Sequence, residues 1–168
     1  MATRRSVFRA VDYSTFDDFC RQEHSTLVDA LIWSFGDRDL GREAADEAMA
    51  RAFERWDQVS GYRNPAGWTY RVGLNWGRRR LRRANRGAEL VRHLPPQPGH
   101  YHLQPQPDLE AALDDLPVKQ RAVIVLRHLL GHTDAQTAEI LGISVGTVKS
   151  RNSRALEKLR HTLQENAQ

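Results

Sequence analysis

The sequence predicts an all-α protein of two small helical domains, an N-terminal helical bundle and a C-terminal helix-turn-helix domain of four helices, joined by a Pro-rich linker. Three observations predict it. Apolar residues recur at helical spacing in one run after another, with no alternating strand pattern. A segment at 94–107, LPPQPGHYHLQPQP, holds five prolines, which removes backbone donors and disfavours helix. Residues 133–154, TDAQTAEILGISVGTVKSRNSR, read as a complete helix-turn-helix. A chain of 168 residues accommodates such a pair of domains.

In the N-terminal block, Phe16, Phe19, Leu27, Leu31, Ile32 and Phe35 repeat at helical spacing over 15–35, with Ser14 or Thr15 as cap. Gly36 and Asp37 break that helix. A second run, 40–59, puts Ala44, Ala45, Ala48, Met49, Ala52, Phe53 and Trp56 on one stripe and leaves Glu43, Asp46, Glu47, Glu54 and Arg55 off it. Residues 60–65, SGYRNP, are a loop by composition. A third helix over 66–85 carries Trp68, Tyr70, Val72, Leu74 and Trp76, then RRRLRRANR. Gly73 and Gly77 each cost about 1 kcal/mol against alanine inside a helix. Four apart, they share a face, which means close packing or a local bend.

The C-terminal block opens with a short acidic amphipathic helix at 108–116, where Leu109, Ala112, Leu113 and Leu116 form the apolar side. Pro117 starts the next helix, 118–130, and Gly131 ends it. Asp134–Leu141 is then the first helix of the helix-turn-helix, with the small Ala138 where two helices approach. Gly142 supplies a left-handed stop, Ile143 plugs the turn and Ser144 caps the second helix. That helix exposes Thr147, Lys149, Ser150, Arg151 and Arg154 near its start. Hydrogen-bond donors and cations at that end suit a DNA major groove. The apolar stripe continues through Ala155, Leu156, Leu159 and Leu163.

The formal net charge is +4, but its distribution says more than its size. Residues 71–92 hold eight arginines against one acid, 37–57 hold seven acids against four arginines, and 108–115 hold four acids and no base. Segregation of this kind predicts one DNA-facing surface and at least one other partner surface. A single cysteine, Cys20, excludes a disulfide framework and points to a reducing, cytoplasmic compartment. No apolar run is long enough to span a membrane, and the basic start, MATRRSVFRAVDYS, lacks the apolar core of a secretory signal and reads as a short mobile arm.

Catalytic and metal chemistry find no residues to carry them. There is no nucleotide-binding glycine loop and no G-x-S-x-G elbow. Cys20 and His24 make two ligands at most, His128 and His132 straddle Gly131, and His93, His100 and His102 fall in the linker. No cofactor, no metal and no enzymatic activity are expected.

With these elements in place, the chain resembles an extracytoplasmic-function (ECF) sigma factor, the small two-domain class of the sigma-70 family of bacterial RNA polymerase subunits. The resemblance covers roughly 16–163. It rests on SFGDRD, AMARAFERW and NPAGWTYRVGLNWGRRRLRR in the first domain, and on LDDLPVKQRAVIVLRHLLGHT, AEILGISVGTVKSR and SRALEKLR in the second. It implies sigma region 2 over 14–86, a flexible linker over 87–107 and sigma region 4 over 108–164.

The resemblance also implies partners and roles. Core RNA polymerase would be bound through its β′ coiled coil by the helix at 41–56, with Glu43, Asp46, Glu47 and Arg51 as exposed contacts and Ala48, Ala52 and Phe53 as core. The loop 59–65 and helix 68–83 would read and melt the −10 promoter element. Tyr62 and Asn64 would select bases, Asn75 would bond a base edge, Trp76 would stack on unpaired bases, and Arg71, Arg78, Arg79, Arg80, Arg82 and Arg83 would mostly hold phosphates. Of the tryptophans there, Trp68 is expected to be the buried one. The helix at 145–160 would enter the −35 major groove with Ser144, Thr147, Lys149, Ser150, Arg151 and Arg154, and Arg121 and Arg127 would touch the DNA backbone or the polymerase β flap.

Two departures stand out: Thr137 and Asn152 replace residues that are usually aliphatic in the family, at positions expected to face the helix-turn-helix core. Asp46 stands where glutamine is common. With the chain stopping at Gln168, regulation is expected through abundance, the short termini or a partner such as an anti-sigma factor. The alternative is a stand-alone dimeric helix-turn-helix regulator, which would need a dimer interface for two half-sites and no aromatic-arginine helix.

Overall fold

The computed structural model describes residues 13–87 and 107–166. The N-terminal arm and most of the proline-rich linker lie outside the described residues. Every element among them is helical: α1 Phe16–Phe35, α2 Arg38–Glu54, the single turn α3 Trp56–Val59, α4 Pro65–Gly87, α5 Pro107–Asp114, α6 Val118–Ile124 running into a π-turn at Val125–Leu129, α7 Asp134–Leu141 and α8 Val145–Asn166. None of the helices is long and apolar enough to cross a membrane.

The first three long helices form a bundle whose centre is a run of small residues. Ala44, Ala45, Ala48 and Ala52 of α2 are fully buried, so α1 and α4 approach its backbone closely. Thr15 is the residue that caps α1, accepting from the Asp18 amide, and Gly36 ends it at φ 66°. Gly73 and Gly77 prove to be close-packing positions: a Cβ on Gly73 would stand 2.7 Å from Leu31 Cδ1 and 2.9 Å from the Ala44 carbonyl, and one on Gly77 would collide with the Phe35 ring. Tyr70 is wholly buried, its hydroxyl 2.7 Å from Ser34 Oγ, which itself donates to the Ala30 carbonyl. Burial pushes the Tyr70 hydroxyl's pKa well up, so it stays protonated.

Two sequence expectations fail here. The run 40–59 is not one helix, because α2 ends at Glu54 and the chain turns at Arg55 before α3. Phe53, one residue before that end, is 65% exposed instead of lying in the core. Its ring meets only the edge of an aromatic nest, 5.1 Å from Phe16, while Tyr13, Phe19 and Trp56 pack further in. Tyr13 donates to Glu23 Oε1 at 2.8 Å, and burial raises the pKa of that carboxyl.

In the C-terminal half, Thr133 and Gln136 form a reciprocal capping box at α7, each satisfying the other's free amide. Gly142 stops α7 at φ 65° and Ser144 accepts from the Thr147 amide to start α8, as the sequence predicts. The π-turn after α6 is not legible in the apolar pattern. Within it Arg127 bonds the His132 carbonyl and pairs with Asp134 at 2.6 Å. Arg121 is buried and donates to Asp114 Oδ1, the Asp114 carbonyl and the Leu116 carbonyl. Of the two arginines expected to reach DNA or polymerase, Arg121 is buried and closes the end of α5, while the partly exposed Arg127 ties the π-turn to the loop and the first residue of α7.

Thr137 is fully buried and its hydroxyl has no hydrogen-bond partner among the described residues. Thr137→Val is therefore expected to stabilise the chain by about 1 kcal/mol, a rise of roughly 2–4 °C in Tm by calorimetry. Asn152 does not face the core. It is half-buried and its Oδ1 lies 2.8 Å from His128 Nε2 on the π-turn. His132 is buried, and desolvation lowers its pKa, only partly offset by Gln136. Below pH about 6.5 the unfolded imidazole takes a proton that the folded one resists, so stability is expected to fall as pH drops through that value. Urea unfolding across pH 5–8 tests this; a His132→Phe variant should lose that part of the slope.

The two halves share one continuous apolar cluster: Trp33 and Phe35 of α1 join Leu113, Leu116, Ala122, Val125 and Leu126. Where α1 ends, Gly36 lies against Arg121 and Asp114, so close that no Cβ would fit.

Candidate nucleic-acid interface

The exposed arc of α4 carries two polar stripes, a consequence of the 3.6-residue period. Arg71, Asn75, Arg78 and Arg82 form one, and Trp76, Arg79, Arg80 and Arg83 the other. On the second stripe Trp76 is half-buried, and the Arg80 guanidinium sits over its ring at 5.6 Å while pairing with Glu43 at 3.1 Å. Arg79 and Arg83 are exposed.

The first stripe looks towards the helix-turn-helix. Arg71 is half-buried, with its guanidinium against Gly142, where the exposed carbonyls of the α7 C-terminus favour a cation. Further along, Arg78 is half-buried, and burial together with Arg82 and Arg151 lowers its pKa. Asn75 remains exposed.

At the start of α4, Asn64 Oδ1 accepts from the Gly67 amide at 2.8 Å, so this side chain caps the helix. Tyr62 is half-buried, its ring centroid 5.8 Å from that of Trp68. Trp68 is itself only half-buried, contrary to the expectation; the core position on this turn belongs to Tyr70, and Trp33 is the tryptophan that is buried. Gly67 carries no signal in the sequence that would single it out. It lets Ile140 of α7 pack onto α4, since a Cβ would stand 2.9 Å from Ile140 Cγ1.

At the start of α8 the Ser144 and Thr147 hydroxyls lie 2.8 Å apart. Lys149, Ser150 and Arg154 are exposed and Arg151 is half-buried on the side of Arg78. On α2, Glu43 reaches Arg80 of α4, whereas Glu47 pairs with Arg51 at 2.7 Å and Asp46 with His24 at 3.8 Å, leaving much of their surface open. Among the described residues no three His, Cys, Asp or Glu side chains converge as a metal site.

Comparison with known proteins agrees with this arrangement of elements. Residues 107–159 match the family described as Sigma-70, region 4. The chain is 30% identical to the RNA polymerase sigma-E factor of Streptomyces coelicolor, over 88% of this chain and 85% of that one. It is also 30% identical to the ECF RNA polymerase sigma factor SigM of Mycobacterium tuberculosis, over 92% and 80%. Its fold matches the sigma factor RpoE of Bartonella quintana, crystallised with the anti-sigma factor NepR, with a TM-score of 0.71 and 25% identity over 89% of this chain and 96% of that one.

Proposed function

The chain belongs to the extracytoplasmic-function sigma factors of RNA polymerase, and from that premise we propose how its two surfaces divide the work of promoter recognition. Residues 14–86 act as sigma region 2 and 108–164 as region 4, with 87–107 as the tether. Region 4 reads −35 duplex through Ser144, Thr147, Lys149, Ser150, Arg151 and Arg154 in the major groove. Region 2 opens the −10 element: Tyr62 and Trp76 offer ring faces to unpaired bases, Asn64 and Asn75 offer amides, and Arg71, Arg78, Arg79, Arg80, Arg82 and Arg83 hold phosphates. The observation that carries this reading is the pair of arginine-lined surfaces, one on a helix-turn-helix and one on an aromatic-arginine helix.

Core polymerase docks on the exposed acidic edge of α2, at Glu43, Asp46, Glu47 and Arg51. Glu43 also holds Arg80 in place, which couples the docking helix to the −10 helix. Phe53 extends this surface with an exposed apolar contact. The two DNA surfaces face each other across the domain seam, with Arg78 towards Arg151, so promoter engagement requires the seam to open. Like charge across the seam favours that opening, and an anti-sigma factor that held it shut would silence the protein. The chain acts by binding rather than catalysis, in the compartment that holds the polymerase.

The test is initiation with purified components. Run-off transcripts from genomic fragments, made by sigma-free core polymerase plus this chain, are expected to start at discrete sites sharing two spaced upstream motifs. No initiation, with salt-sensitive binding of the chain alone to a palindrome, would sink the proposal in favour of a dimeric regulator.

A further inference from the structure

The domain seam encloses a cleft of about 270 Å³ whose walls come from both halves of the chain. One wall is region 2: the tilted rings of Tyr62 and Trp68, with centroids 5.8 Å apart, and the side chain of Arg71. Asn64 also lines it; its oxygen is committed to the Gly67 amide, so its Nδ2 is the group left to donate. The opposite wall is region 4, formed by Ile140 and by Glu139, an exposed side chain. Among the described residues neither Arg71 nor Glu139 has an ion-pair partner.

The chemistry of these walls is specific. Flat aromatic faces take a planar ring, a half-buried guanidinium takes a phosphate, and a carboxylate at the rim accepts from an amino or hydroxyl group. A volume near the lower end of small-molecule sites, at a domain boundary, suits one such ligand and not a chain of them. We propose that the cleft is a mononucleotide site, with a base against Tyr62 and Trp68, a phosphate on Arg71 and an amino or ribose hydroxyl group donating to Glu139. Because the ligand touches both halves, its binding holds the seam closed. Because it occupies Tyr62 and Asn64, it competes with −10 DNA; this consequence, though not the binding itself, rests on the role proposed above for those residues.

The full-length chain is titrated with AMP, GMP, CMP and UMP in turn at fixed ionic strength, by calorimetry and tryptophan fluorescence. At least one is expected to bind saturably with one-to-one stoichiometry. Arg71→Gln and Tyr62→Ala, each checked for folding by circular dichroism, weaken it tenfold or more. Glu139→Gln, in the other domain, weakens it at least threefold, while Arg42→Gln on α2 leaves it unchanged. Absence of saturable binding by all four nucleotides overturns the proposal, as does binding that tracks ionic strength and ignores Tyr62→Ala and Glu139→Gln. If none of the four nucleotides binds while a single-stranded oligonucleotide does, with Tyr62→Ala abolishing that binding and Glu139→Gln leaving it unchanged, the surface serves a DNA strand alone and the mononucleotide site is excluded. Run-off transcription with core polymerase, measured in parallel, separates failure of this site from failure of promoter recognition.

Discussion

Gly41→Ala is expected to lower Tm by roughly 4–8 °C, about 2 kcal/mol, although alanine is the better helix former. Gly41 lies in the first turns of α2, where that helix crosses α1. A Cβ there would stand 2.6 Å from the Cα and backbone nitrogen of Ile32. Backbone cannot rotate away as a side chain can, so the two helices must separate and unpack the buried alanines between them. Helix propensity returns only about 1 kcal/mol. Gly61→Ala is the control: its nearest neighbour would be the Gln58 carbonyl at 3.5 Å, an ordinary contact, and stability should stay within about 0.5 kcal/mol of the parent. A Gly41→Ala chain that melts at or above the parent would show that the helices are not in backbone contact there.

Replacing both Arg151 and Arg154 by glutamine is expected to weaken binding of the holoenzyme to a −35 duplex by roughly 100-fold, with the salt slope falling by about one for each phosphate no longer neutralised. Binding of single-stranded −10 DNA should be unchanged. Folding should not suffer, because Arg154 is exposed and Arg151 faces Arg78, a like charge, so its removal relieves repulsion. Filter binding at several salt concentrations, with a melting curve of each variant, separates the two effects. Equal weakening on both DNA elements would mean that Arg151 and Arg154 supply only diffuse attraction.

How legible a single residue is in the sequence depends on whether a neighbour along the chain or a neighbour in space decides its fate. The helix-turn-helix is legible because its punctuation is local: the left-handed Gly142 and the Ser144 cap each act within four residues, as does the Thr133 capping box that the structure adds. Phe53 belongs to the core stripe only if α2 continues, whereas the turn at Arg55 leaves it the rim of an aromatic nest. Trp68 and Tyr70 are two residues apart, and nothing local says that Ser34, on another helix, holds a partner for the smaller ring. Asn152 reaches a polar partner, His128, because the π-turn shifts the register of the helix opposite.

The sequence by itself determined the all-α class, the order of the long helices, the stops at Gly36 and Gly142, the cap at Ser144 and the family, because helical period, capping chemistry and motif spacing all act along the chain. The tertiary structure alone decided which arginines remain available. Arg121 is consumed in closing the end of α5 and Arg127 in tying the π-turn to α7, Arg80 pairs with Glu43, and Arg71, which has no ion-pair partner among the described residues, is left in the cleft beside Gly142. It also decided that the arginine stripe of α4 approaches α8, with Arg78 towards Arg151, and that a cleft lies between the two halves. A charge's function depends on what stands within a few ångströms of it, and that neighbour is chosen by packing between helices distant in sequence.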